Sequence, residues 1–171
     1  MAPTAIQKFT QNFESNVLTD DESLAPYSQD WSGRWNQRPS AVALPHSIED
    51  LAQMMKFCNE NKIEVIPTGG RTGLVGGTIA TKNEIIIDLK QLNKIGSLDP
   101  DTQTIWVDAG VITERLQNAV KENDLFWPID LAAKGSSQIG GNLATNVGGV
   151  HVIRYGMARN WVRQLKVVTV N

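Results

Sequence analysis

Glycine is unevenly distributed along this chain, and its distribution is the feature that most constrains the fold. Of the fourteen glycines, five lie in residues 69–77 and five in residues 135–149. Glycine permits positive φ angles and lets backbone N–H groups converge without side chains in the way. The sequence therefore predicts two irregular loops held by more regular elements, and these loops are the first candidates for a binding site.

The first glycine loop, residues 67–77, reads Pro-Thr-Gly-Gly-Arg-Thr-Gly-Leu-Val-Gly-Gly. Converging N–H groups in such a loop suit a phosphate or a pyrophosphate. The loop has neither the Gly-Lys-Ser/Thr of a P-loop nor the Gly-x-Gly-x-x-Gly of a Rossmann motif, so neither type of nucleotide site is indicated. A surface turn without a ligand is the alternative for one such loop alone.

The second glycine loop, residues 135–149, reads Gly-Ser-Ser-Gln-Ile-Gly-Gly-Asn-Leu-Ala-Thr-Asn-Val-Gly-Gly, so small polar side chains alternate with glycines. Four of its side chains are able to bond to the edge of a heteroaromatic ring or to a ribityl chain: Ser136, Asn142, Thr145 and Asn146. Gly140 and Gly141 would let a flat ring lie against the backbone. Close packing of a small-residue helix is the alternative for these two glycines.

Hydrophobic patterning predicts the regular elements around the loops. Short strands are expected at residues 42–44, 65–66, 85–89 and 105–109. Ser47 is placed to cap a helix with apolar positions from Ile48 to Cys58, and Thr113 to open a second helix. Residues 165–170 are rich in β-branched side chains and predict a further strand, and since the chain stops inside it we expect a fragment of a longer protein.

Composition excludes several classes of protein. Hydrophobic residues make up 41% and charged residues 20% of the chain, as in a soluble globular protein. The net charge of −2 and the scattered basic residues argue against nucleic-acid binding. We expect a cytoplasmic protein, because there is no apolar run of about 20 residues and no signal peptide. Cys58 is expected to be an inert core thiol, and His46 and His151 are too few for a histidine metal cluster.

Four motifs in a fixed order carry a family resemblance: Pro-His-Ser-Ile-Glu-Asp-Leu at residues 45–51, the first glycine loop, residues 128–149, and Arg-Tyr-Gly at residues 154–156. They resemble the FAD-binding domain of the vanillyl-alcohol oxidase and p-cresol methylhydroxylase family. The branch of D-2-hydroxyglutarate, D-lactate and glycolate dehydrogenases is the most similar, and residues 130–136 are especially like its hydroxyglutarate members. The resemblance covers roughly residues 41–170.

Residues 1–40 are polar and weakly patterned for the most part, and we expect them to form an N-terminal arm that packs through Trp31 and Trp35. The resemblance implies an α+β FAD-binding domain at residues 41–171, incomplete at its C-terminal end. The first glycine loop would wrap the pyrophosphate, and the second would line the ribityl chain and the flavin ring. The cofactor-binding residues implied are Pro67, Thr68, Gly69, Gly70, Arg71, Thr72, Gly73, Leu74, Gly135, Ser136, Ile139, Gly140, Gly141, Asn142, Thr145, Asn146, Gly148 and Gly149.

The resemblance also implies a reaction. A D-2-hydroxy acid would give its Cα hydrogen as hydride to flavin N5 and become a 2-oxo acid, while a base removes the hydroxyl proton. The electrons would leave through a separate acceptor, and a homo-oligomer is left open. Some relatives attach the flavin through a histidine in the first loop, but Arg71, Thr72 and Gly73 stand here, so the FAD should be noncovalent.

No catalytic base and no metal site are assigned within the chain; in this family they come from later parts of the protein. His151 is the one conceivable base. Arg154 would either attract a substrate carboxylate or, more simply, pack on Trp161 or pair with a carboxylate. Two alternatives to the dehydrogenase remain: a related flavoprotein oxidase or reductase with another substrate, and a noncatalytic nucleotide-binding module. The identity of the hydroxy acid is open.

Overall fold

A computed structural model describes residues 3–82 and 84–170 of the chain. Its α-helices are α1 (Ala5–Asn12), α2 (Asp21–Leu24), α3 (Ile48–Glu60), α4 (Thr113–Lys121), α5 (Ile139–Ala144) and α6 (Val152–Tyr155). Its strands are β1 (Val17–Leu18), β2 (Ala41–Ala43), β3 (Val65–Thr68), β4 (Ile85–Asp88), β5 (Ile95–Asp99) and β6 (Thr104–Val107). Short 3₁₀ helices lie at Glu14–Asn16, Ala25–Tyr27, Leu89–Gln91 and Ala158–Trp161.

The four-stranded sheet has the order β1-β2-β4-β3, in which β2, β4 and β3 run parallel and β1 is antiparallel to β2. Helix α3 makes the crossover from β2 to β3, as a parallel connection requires. Thr68 at the end of β3 lies in register with Asp88 at the end of β4. The first glycine loop therefore leaves the carboxyl edge of the sheet, where open sheets with parallel strands commonly bind ligands.

The sheet is buried on both faces, as parallel strands usually are. Because successive side chains point to opposite faces, Ile85 and Ile87 join the core formed with α1 and α3, whereas Ile86 joins a second core with Leu24 and Tyr27. Helix α3 begins where the sequence predicts, since Ser47 Oγ accepts a 3.0 Å hydrogen bond from the backbone of Asp50.

The second half of the chain contains the antiparallel β5-β6 hairpin and helices α4 and α5, with a core of its own around Val111, Leu116, Val120 and Ile139. Helix α4 begins at Thr113, as predicted. None of the helices among the described residues is long and apolar enough to span a bilayer.

One predicted strand is wrong. Residues 165–170 have the composition of a strand, but no described strand pairs with them and Leu165 and Val167 are exposed. β-Branched residues favour an extended backbone, yet a strand forms only where a neighbouring strand accepts its backbone hydrogen bonds.

The packing predicted for the N-terminal segment is confirmed for Trp35, whose indole contacts Gly76, but it is wrong for Trp31. Trp31 is 76% exposed, whereas Phe9 and Leu24 are fully buried and Tyr27 is nearly so. Ile6 and Phe9 on α1, and Phe13 directly after it, recur at helical spacing and face the core, which is how the segment is held. Residues 3–40 thus contribute to both faces of the sheet; the division of the chain at residue 41 stays a prediction.

Cys58 lies on the inner face of α3, 1% exposed, and burial raises the pKa of its thiol to about 11. Because alkylating reagents attack the thiolate, we expect Cys58 to resist iodoacetamide in the folded protein at about pH 8 and to react fully in denaturant. Mass spectrometry of timed samples measures this. Equal labelling rates in the two states would mean that the thiol is accessible in the native fold.

Candidate functional site

The two glycine loops meet at Gly70. A Cβ atom at this position would lie 2.1 Å from the carbonyl oxygen of Ser136 and 3.0 Å from Cα of Ser137, so only glycine fits. At the neighbouring Gly69, a Cβ atom would be 3.2 Å from Oε1 of Gln138 and 3.8 Å from the backbone nitrogen of Gly141. The loops that the sequence singles out thus come together in the fold, at the edge where β3 ends.

The glycines of the first loop make little use of the positive φ angles that glycine permits. Among them only Gly76 has a positive φ, of 74°, while the non-glycine residue Arg71 has φ of 51°. Gly70 is therefore needed for its close contact with Ser136. The positive φ of Arg71 costs an L-residue about 1 kcal/mol, so contacts made by Arg71 must offset this strain.

Backbone N–H groups are available along the first loop. No backbone hydrogen bond among the described residues uses an N–H of residues 70–75 as donor. The N–H of Gly76, by contrast, donates to Oδ2 of Asp30 at 3.0 Å. A run of free N–H groups beside an arginine is the arrangement that suits an anion.

The side chain of Arg71 turns towards the N-terminal segment. Its guanidinium lies 4.1 Å from the ring centroid of Tyr27 and donates to the carbonyl oxygen of Pro26. The hydroxyl of Tyr27 donates to Asp88 at 2.7 Å and accepts from Lys90 at 3.0 Å. Burial and the bond to Asp88 raise the pKa of Tyr27 well above its usual range, so the hydroxyl keeps its proton at physiological pH.

Asp30 of the N-terminal segment also contacts the first loop, at Gly76. It is buried, and its carboxylate also accepts from the hydroxyl of Ser32 at 2.6 Å and from the Ser32 backbone at 2.9 Å. The Ser32 hydroxyl, together with the backbone N–H of Gly76, holds the pKa of Asp30 below its usual range. Asp30 is therefore a stable anionic acceptor at the end of the loop.

Polar side chains of the second loop are largely used within the protein. Asn142 is buried and donates to Oγ1 of Thr113 at 2.6 Å, and Thr113 Oγ1 lies 2.7 Å from Oγ of Ser137. The hydroxyl of Thr145 donates to the carbonyl of Gly141, and Oδ1 of Asn146 accepts from the backbone of Arg159. These bonds fix α5 against α4 and give the loop a rigid shape.

The glycines of the second loop have different surroundings. A Cβ atom on Gly140 would lie 2.7 Å from Cβ of Ala109, so Gly140 serves close packing. Gly149 has φ of 80° and packs on the carbonyl of Asp130, and Gly148 packs on Val152. Gly141 is different, because a Cβ atom there would meet no heavy atom within 4 Å. Of the two glycines expected to admit a flat ring, only Gly141 faces open space.

The remaining residues predicted to bind the cofactor differ in their exposure to solvent. Pro67, Gly73 and Leu74 are exposed, Thr72 is partly exposed, and Ile139 is buried in the core of the second half. Gly135 and Ser136 are exposed at the start of the second loop, where the hydroxyl of Ser136 makes a 3.4 Å bond to Ala133.

Two buried polar atoms where the loops meet have no hydrogen-bond partner among the described residues. They are Oγ1 of Thr68 and Oε1 of Gln138. Leaving such a group unpaired costs about 1–3 kcal/mol, so packing alone does not explain why two polar atoms are buried here. Sequence reasoning missed Gln138, Tyr27 and Asp30, because neither periodicity nor glycine content marks them; the only signal was Gln138's place inside the second loop. It named Trp35 as a packing residue of the N-terminal arm but not as a neighbour of this site.

His151 and Arg154 lie at the surface next to aromatic rings. The imidazole of His151 is 6.1 Å from the ring of Phe126 and 6.2 Å from that of Tyr155. Arg154 packs over Tyr155 at 5.2 Å, not on Trp161 as the sequence suggested; Trp161 instead donates its indole N–H to the backbone carbonyl of Tyr155. Neither residue has the buried polar surroundings that tune a catalytic base.

Comparison with known proteins identifies the class. A family model described as an FAD binding domain matches residues 39–171, and the chain belongs to this family. A D-2-hydroxyglutarate dehydrogenase of Xanthomonas citri pv. viticola is 45% identical over 90% of the chain. The match covers 32% of that relative, so the chain spans about a third of its length.

Solved structures support the predicted fold. An alkyldihydroxyacetonephosphate synthase superposes with a TM-score of 0.86 at 20% identity, covering 95% of this chain and 33% of that protein. A p-cresol methylhydroxylase superposes with a TM-score of 0.66 at 30% identity, covering 85% of this chain and 29% of that one. The predicted α+β fold of the vanillyl-alcohol oxidase and p-cresol methylhydroxylase type is confirmed.

Replacing Gly70 tests the contact between the loops. The Cβ atom of Gly70→Ala would overlap the Ser136 carbonyl, so we expect the loops to separate, unfolding stability to fall by about 1–3 kcal/mol and FAD to bind more weakly. Gly77→Ala is the matched control, because a Cβ atom there meets nothing within 4 Å. Denaturant unfolding and FAD titration measure both effects, and equal FAD affinities for the two variants would contradict this role of Gly70.

Proposed function

We propose that this chain holds the cofactor of an FAD-dependent dehydrogenase that oxidises a D-2-hydroxy acid to the 2-oxo acid. The observation that carries the proposal is the meeting of the two glycine loops at Gly70 and Ser136. The N–H groups of residues 70–75 donate no backbone hydrogen bond among the described residues, and Oγ1 of Thr68 and Oε1 of Gln138 are buried without a partner there. The activity is supported by the similarity to a relative named D-2-hydroxyglutarate dehydrogenase.

The residues present fit FAD. The first loop offers N–H groups that donate no backbone hydrogen bond among the described residues, which favours a pyrophosphate. The open space in front of Gly141 allows a flat ring to approach the backbone of α5. Residues 67–74 would therefore hold the pyrophosphate, and the second loop would hold the ribityl chain and the flavin.

When bound, FAD supplies the two-electron acceptor for the hydride that leaves Cα of the hydroxy acid. The contribution of this chain is to orient the acceptor: the bonds among Thr113, Ser137 and Asn142 keep the second loop in one shape, so the ring surface is fixed before substrate arrives. His151, the one base considered from the sequence, lies at the surface beside Phe126 and Tyr155. We infer that the group taking the hydroxyl proton, the groups binding the carboxylate and the contact with a separate electron acceptor belong to other parts of the protein.

The flavin is proposed to be bound noncovalently, because Arg71, Thr72 and Gly73 occupy the stretch where some related proteins carry a linking histidine. We expect acid precipitation of the purified full-length protein to leave all the FAD in the supernatant. Absorbance and fluorescence of supernatant and pellet measure this. Flavin fluorescence that remains with the denatured polypeptide would show a covalent link.

Anaerobic reduction tests the activity. Full-length protein carrying FAD should lose its flavin absorbance when mixed with one of D-2-hydroxyglutarate, D-lactate or glycolate, and the L-enantiomers of the first two are the controls. Stopped-flow absorbance gives the rate for each substrate. Absence of bleaching with all three acids would reject the dehydrogenase, and bleaching by a different class of substrate would favour a related oxidase or reductase.

A further inference from the structure

The N-terminal segment of residues 26–35 touches the first glycine loop at two separated points. At the first, the guanidinium of Arg71 donates to the carbonyl of Pro26 and covers the ring of Tyr27 at 4.1 Å. Tyr27 is itself fixed, since its hydroxyl bonds to Asp88 at 2.7 Å at the end of β4. This contact joins the middle of the loop to the sheet.

The second point is at Gly76. Asp30 accepts the backbone N–H of Gly76 at 3.0 Å, and the indole of Trp35 packs on the same residue. A Cβ atom on Gly76 would lie 2.6 Å from Cε2 of Trp35, so the indole occupies the space that a side chain would need. Here the segment fixes the end of the loop by a hydrogen bond and by a flat aromatic contact.

The two points bracket the N–H groups of residues 71–75, which donate no backbone hydrogen bond among the described residues. We propose that residues 26–35 form a clamp that positions these groups for the pyrophosphate, with Tyr27, Asp30 and Trp35 as positioning residues. The proposal rests on the proposed binding of FAD. It assigns a cofactor-related role to a segment that lies outside the matched family region at residues 39–171.

The contacts of Arg71 and Asp30 are specific polar contacts and not general apolar packing. Arg71 has a positive φ of 51°, and its guanidinium is held in place by the ring of Tyr27. The buried carboxylate of Asp30 accepts hydrogen bonds from the backbone N–H groups of Ser32, in its own turn, and of Gly76. Loss of the Asp30 and Trp35 contacts should leave both cores intact, because neither residue belongs to them, while the first loop becomes less ordered; Tyr27 is also part of the second core.

The experiment compares four variants of the full-length protein. Trp35→Ala and Tyr27→Leu remove one contact each, Asp30→Asn weakens the other contact at Gly76 without changing volume, and Trp31→Ala is the matched control because Trp31 is 76% exposed. We expect FAD dissociation constants to rise roughly tenfold in the first three variants and to be unchanged in the control. Thermal unfolding checks that each variant folds. If Tyr27→Leu fails to fold, Asp30→Asn still tests the proposal, because it does not change the side-chain volume.

A second measurement separates positioning from general destabilisation. Phosphorus NMR of the bound cofactor should show shifted or broadened pyrophosphate signals in Trp35→Ala and Asp30→Asn, while the visible spectrum of the bound flavin ring stays as in the unaltered protein. Unchanged FAD affinity and phosphorus signals in folded variants would overturn the clamp. If the unaltered protein binds no FAD at all, the proposed function fails first, so the two failures are distinguishable.

Discussion

The close approach of Gly70 to the carbonyl of Ser136 is the contact on which the candidate site depends. It joins a loop that leaves the four-stranded sheet to a loop that opens α5, and each loop is carried by a different core. Neither half of the chain forms the site alone. Because the contact is with backbone atoms, it tolerates no side chain at Gly70, and glycine there lets the two loops lie in direct contact.

Sequence patterning predicted the elements well where local physics determines them. The cap at Ser47, the start of α4 at Thr113 and the alternation through Ile85, Ile86 and Ile87 all follow from residue type and spacing. Both glycine loops and the family were also predicted from the sequence. The strand expected at residues 165–170 failed because pairing depends on a neighbour, which composition does not encode.

The site was harder to predict than the fold, because its details depend on contacts between distant segments. Gly70 and Gly140 look alike in sequence, yet the first contacts the other loop and the second packs on Ala109. Asn142 looks like a ligand-binding amide, but its nitrogen is bonded to Thr113. Nothing local in the sequence marks Tyr27 or Asp30 as neighbours of the loop, since more than forty residues separate them from Arg71 and Gly76.

The positive φ of Arg71 has a consequence for sequence variation at this position. A glycine would relax the backbone there, yet it would also remove the guanidinium that joins the loop to Pro26 and Tyr27. At this position, therefore, the backbone conformation favours glycine, whereas the side-chain contacts favour arginine. In a chain with glycine at position 71, relief of the backbone strain would compensate in part for the lost contacts, while the loop would be less defined. Global stability and order of the binding loop are therefore separate properties in this protein.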